Sequence, residues 1–259
     1  MKSLRKVVIV FEGMIQSNRC LVLGAILGIV IACWAWIVPM ALDMQGNMSG
    51  SSAWMMTNNW DSVHRLLLCS MWIVMMIGMM LPSAAIAVLG SVPSKTAEIG
   101  RNYAHRTGLA FMAGYIAVWS AFSVLAFFIQ RYLDSAKILT PMMEIRSDPL
   151  NMILLAVTGV YQFTPLKRAC LRSCQCLTAN SSHSGFRGGL RNGINCLGCC
   201  WALMLLLFVG GVMNLWWIVG LTIFVFFEKM ASPGWQRICI IALPAVGSGA
   251  WIISMRVRR

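Results

Sequence analysis

Long stretches without a single charged residue constrain this sequence more than any other feature. Residues 20–42, 66–89 and 109–128 contain no Asp, Glu, Lys or Arg, and about 20 apolar residues in a helix cross a hydrocarbon core. Only 11% of the chain is charged and its mean hydropathy is +0.74, whereas a soluble domain carries roughly 25% charged residues. The pattern predicts an all-α, polytopic transmembrane helix bundle in a single multi-pass domain, with the lipid bilayer as its main solvent.

About seven spans are expected, near residues 20–42, 66–89, 109–128, 150–164, 194–213, 215–228 and 237–255. The run 194–227 would be about 50 Å long as one helix at 1.5 Å per residue, too long for one crossing. Asn214 and the pair Trp216-Trp217 mark the expected break, because Trp favours the membrane interface. The apolar run after the basic start is followed by no small-residue cleavage site, so it reads as a retained span and not a removed signal.

The net charge of +13 could invite a nucleic-acid reading, but the basic residues lie in short segments between apolar runs. There they set topology and meet anionic headgroups. No basic patch is interleaved with aromatics, and no nucleic-acid partner is expected. The larger share of Lys and Arg falls on the side of the N-terminus, including a basic loop expected at 167–191, which predicts a cytoplasmic N-terminus. An odd number of spans then leaves Arg256, Arg258 and Arg259 outside, against that trend.

Chemistry concentrates in the thiols. Six of the ten cysteines fall within 31 residues: Cys170, Cys174 and Cys176, then Cys196, Cys199 and Cys200. On a helix, positions 196, 199 and 200 are i, i+3 and i+4 and share one face. Three thiolates so placed suit copper(I), or zinc with a fourth ligand from elsewhere. The plainer use of Cys, as a small residue between membrane helices, competes with that reading. The spacing of Cys170 and Cys174 matches no standard zinc knuckle. Lys167, Arg168 and Arg172 nearby favour thiolate over thiol.

Methionine adds a second soft ligand. Half of the 20 methionines lie in residues 40–80, and Met76, Met79 and Met80 fall inside the second span. A thioether is an uncharged ligand for copper(I), and it is also a flexible gap-filler in helix packing. Glu228, beside Lys229 at the end of the sixth span, is an ionisable group at the hydrocarbon edge and so a functional candidate, with Lys229 or a bound cation as its partner. The candidate metal ligands are therefore Cys196, Cys199, Cys200, Cys170, Cys174, Met76, Met79, Met80 and Glu228. No Walker loop, dinucleotide fingerprint, His-Glu-x-x-His or Gly-x-Ser-x-Gly is present, which excludes an ATP-driven pump for this chain alone.

An ordered series of short motifs carries a resemblance. It runs Met79-Met80-Leu81-Pro82-Ser83, Gly114-Tyr115 with Trp119, Tyr161-Gln162-x-Thr164-Pro165-Leu166-Lys167, Cys196-Leu197-Gly198-Cys199-Cys200-Trp201-Ala202-Leu203-Met204, Gly210-x-Val212-Met213-Asn214 and Glu228-Lys229. The series resembles the bacterial family of predicted metal-binding integral membrane proteins, a domain-of-unknown-function family sometimes labelled copper chaperone. The resemblance implies a bacterial inner-membrane location and a metal role for Cys196, Cys199 and Cys200, and it names no reaction.

The expectation is a non-enzymatic membrane protein that handles or delivers copper, with zinc as the second metal. The alternative is an accessory or assembly subunit of a larger membrane metalloenzyme, an oxidase or monooxygenase. A thiol oxidoreductase is a third reading, weakened by the lack of a Cys-x-x-Cys on a thioredoxin-like unit.

Overall fold

The computed structural model describes residues 17–45, 62–92, 101–140, 143–176 and 185–230. Among these the secondary structure is helical: α1 Ser17–Gln45, α2 Ser62–Gly90, α3 Arg101–Ser135, α4 Asp148–Gln162, α5 Pro165–Cys176, α6 Phe186–Leu205, the short α7 Leu207–Gly210 and α8 Leu215–Met230. The all-α bundle is as expected. Four segments are long and apolar enough to cross a membrane: Arg19–Asp43, Ser62–Gly90, Asn102–Ser135 and Phe186–Gly210. At 15 and 16 residues, α4 and α8 are shorter than a full crossing of about 20 residues. The span expected at 237–255 lies outside the described residues, as do Met48, Met55 and Met56.

Between helices in lipid there is no water to exclude, so close backbone approach and hydrogen bonds must hold the bundle. The crossing of α3 and α6 uses the first device. A Cβ on Gly114 would lie 2.2 Å from the Phe186 carbonyl oxygen, and one on Gly189 would lie 1.9 Å from that of Phe111. Backbone meets backbone there because neither residue has a side chain. Gly193 continues the seam against Val118.

Hydrogen bonds do the rest. Pro82 inside α2 lacks the N–H that would bond the Gly78 carbonyl, and Trp34 Nε1 of α1 donates to that carbonyl at 3.3 Å. Thr158 Oγ1 of α4 donates to the Ala202 carbonyl of α6 at 3.1 Å. Trp72 Nε1 donates to Gln130 Oε1 at 2.5 Å, and Gln130 Nε2 reaches Met143 Sδ at 3.1 Å. The segment after α3 is tied down in turn, since the Ile145 N–H donates to the Phe208 carbonyl at 3.0 Å.

The long apolar run does break where Asn214 and its tryptophans predicted. Gly211 has φ +90°, a left-handed conformation that glycine adopts at little cost, and α8 begins at Leu215. Asn214 Oδ1 accepts from the Trp217 N–H at 3.4 Å, and Trp217 Nε1 folds back to donate to the Leu206 carbonyl at 2.8 Å. Only Trp216 projects outward, 81% exposed.

One element differs from expectation. The basic stretch from Lys167 was expected as loop, but residues 165–176 form α5. Pro165 suits a helix's first turn, where a missing N–H costs nothing. The helix packs along α6, with Leu171 buried and Arg168, Ala169, Arg172 and Ser173 exposed.

Candidate metal centre

The triad of thiols lies on the buried face of α6. Cys196 and Cys199 are 1% exposed and Cys200 is 0% exposed, and the three sulfurs lie within 4.8 Å of one another. Cys199 and Cys200 Sγ are 3.2 Å apart, while Cys199 Sγ also donates to the Cys196 carbonyl one turn back, at 3.1 Å. A metal bonded to sulfur at about 2.3 Å, the length of a zinc–thiolate bond, separates its ligand sulfurs by roughly 4 Å. The three sulfurs therefore reach a single ion with small rotamer shifts.

Two other helices close on Cys196, and a third holds the groups that do so. Lys229 Nζ of α8 donates to Cys196 Sγ at 2.8 Å and to Ser83 Oγ of α2 at 2.8 Å. The Tyr115 hydroxyl of α3 stands 3.0 Å from Cys196 Sγ and donates to the Met80 carbonyl at 3.1 Å. A phenol has one proton, so it serves either the carbonyl or the sulfur. Two groups able to donate, one of them a cation, surround this sulfur in a medium where charge attraction is strong. Of the three thiols, Cys196 is the one met by both the Lys229 ammonium and the Tyr115 hydroxyl.

The two cysteine clusters come together. On α5, Cys170 and Cys174 are one turn apart and half-buried, facing α6. Cys170 Sγ occupies the space over Gly198, where a Cβ would lie 2.8 Å from it. Above this contact, Tyr161 of α4 donates to the Gly198 carbonyl and packs edge-on against Trp201, ring centroids 5.1 Å apart. Gly198 is thus approached by a sulfur on one side and pinned through its carbonyl on the other.

The remaining candidates lie elsewhere. Met76, Met79 and Met80 are all 0% exposed within α2, and the link from Met80 to the thiols runs through its carbonyl and Tyr115. Glu228 does not join the thiol group. It is 1% exposed, and its Oε1 pairs with Lys167 Nζ at 2.6 Å. Lys167 also donates to Gln162 Oε1. Glu228 was expected beside Lys229 or a bound cation, and the ion pair described for it is with Lys167; consecutive helical residues project about 100° apart. Lys229 faces the thiols and Glu228 faces α5. Roles for Lys229, Tyr115 and Ser83 were not read from the sequence. Lys229 could have been, since a lysine ending an apolar helix needs an anionic partner whenever it points inward.

A helical bundle of membrane-crossing length around a buried, cation-flanked thiol triad defines a membrane-associated, metal-handling class of protein. A family profile described as "Copper chaperone" (PpoB2) matches residues 69–252, more than two thirds of the chain, and the chain belongs to that family. Neither a curated protein nor a solved structure matches it.

Proposed function

We propose that this protein holds copper(I) within the membrane on Cys196, Cys199 and Cys200 and delivers it onward, with the ion as cargo and no reaction catalysed. The convergence of three buried thiols within 4.8 Å carries the reading. Soft thiolates prefer copper(I), which accepts two or three sulfur ligands, while zinc requires a fourth. Lys229 supports the choice through charge. One copper(I), two thiolates and one ammonium sum to zero, and net charge is what a low-dielectric interior penalises most.

In this scheme the protein sits in a bacterial inner membrane with its N-terminus and α5 on the cytoplasmic side, where thiols stay reduced. Met76, Met79 and Met80 offer uncharged soft ligands on the helix that touches the triad through Tyr115. The recipient is a membrane metalloenzyme that needs copper for assembly.

Elemental analysis of protein purified in detergent under anaerobic, reducing conditions tests the reading. Near-stoichiometric copper is expected in the parent and none in the Cys196→Ser/Cys199→Ser/Cys200→Ser variant. Equal copper in both would overturn the ligand assignment. A parent that emerges metal-free from copper-replete cells and co-purifies with a large oxidase would favour an assembly subunit.

A further inference from the structure

The α5 thiols and the α6 triad touch, but they do not form one ligand set. Neither Cys170 nor Cys174 belongs to the group of sulfurs lying within 4.8 Å of one another. Their settings also differ. The triad is at most 1% exposed, whereas Cys170 and Cys174 are half-buried on a helix whose Arg168 and Arg172 face outward.

We infer that Cys170 and Cys174 form an outer thiol site that receives copper(I) and hands it to the buried triad through Cys199. This rests on the triad being a copper(I) site. Two observations carry it. Cys170 and Cys174 are i and i+4 on α5, so their sulfurs share a face. Gly198 lets the Cys170 sulfur lie directly on α6, at a spot where any Cβ would push it off.

The transfer is ligand exchange. Copper(I) bound to Cys170 and Cys174 forms a bond to Cys199, becoming three-coordinate, and then loses Cys170. It next bonds Cys196 or Cys200 and loses Cys174. Each step makes one copper–sulfur bond before another breaks, and copper stays in the +1 state throughout. Each joining thiol loses a proton and each departing thiolate gains one, so a complete exchange of two ligands moves no net proton. The exposed arginines give the rim a positive field that favours anionic, thiol-ligated copper(I) complexes as donors.

The test uses the full chain in detergent, anaerobic, with copper(I) presented as its anionic bathocuproine disulfonate complex, whose colour fades as copper leaves it. The Cys170→Ser/Cys174→Ser variant should reach the same final copper content as the parent, but about ten-fold or more slowly, the cost of losing a positioned intermediate ligand. Gly198→Ala keeps all five thiols, displaces the Cys170 sulfur and should also slow loading, by several-fold. Unchanged rates in both variants would overturn the handover while leaving the triad assignment intact. A lower final content in the serine variant would overturn it too, by making the pair part of the holding site. A parent that takes up no copper would sink the triad reading itself, and this inference with it. Should the serine variant fail to fold, the Gly198→Ala rate decides alone.

Discussion

Two helices carry the cysteine clusters, and they are held in opposite ways. α6 is fixed by contact of backbones: Gly114 and Gly189 let it lie against α3 with no side chains between. α5 is a short, mostly polar helix whose inner end is fastened by the buried Lys167–Glu228 pair. The first kind of contact is short-ranged and unforgiving, which suits a site whose three sulfurs must keep their spacing. The second is electrostatic, which tolerates small movements of the helix it anchors. The contrast teaches that one bundle can hold two thiol-bearing helices by unlike means, one by close backbone contact and one by a buried ion pair.

The largest effect should come from halving the anchor of α5. Glu228→Leu leaves Lys167 buried without its charge partner and should cost about 3–5 kcal/mol, while Lys167→Met combined with Glu228→Leu should recover most of it. Thermal melts in detergent would read both. A double variant no more stable than the single one would mean the pair does more than balance charge.

The α3–α6 seam should be next. Gly189→Ala forces a Cβ into the Phe111 carbonyl and should destabilise by about 1–3 kcal/mol or more, with copper content falling alongside as the triad shifts. Retained copper in a destabilised protein would separate the seam from the site and spoil the comparison.

A smaller loss is expected where α4 braces α6. Thr158→Val removes the bond to the Ala202 carbonyl and should cost about 1 kcal/mol, with triad copper unchanged by elemental analysis. Smallest of all, a Cβ on Gly220 of α8 would meet nothing within 4 Å. Gly220→Ala should be neutral or stabilise by up to roughly 1 kcal/mol, against the large loss at Gly189. Equal effects at the two glycines would show that helix propensity, not the seam, governs.

Much of this was legible in the sequence, for reasons that differ by residue. Uncharged runs announce membrane helices because nothing else tolerates them, and the shared face of Cys196, Cys199 and Cys200 follows from helical spacing alone. The break before α8 was readable because Asn214 and the Trp216-Trp217 pair mark an interface where the apolar run outlasts a bilayer. α5 was not, since a sequence with Lys167, Arg168 and Arg172 reads as solvated loop unless one knows that Lys167 has a carboxylate waiting for it. The glycine seam stayed hidden for a similar reason. Gly114 and Gly189 are unremarked small residues until α3 and α6 are laid across each other. The meeting of the two cysteine clusters was likewise a matter of tertiary packing.

One consequence follows from the order of two letters at the end of α8. Glu228 points to an ammonium on one side and Lys229 to a sulfur on the other. Writing them the other way round would leave length, net charge and hydropathy unchanged. It would also press a carboxylate toward the thiols and a second cation toward Lys167, so that like faced like at both ends of one helical turn. By every bulk measure the two chains would be twins, yet only one of them would set an ammonium against the Cys196 sulfur and a carboxylate against Lys167.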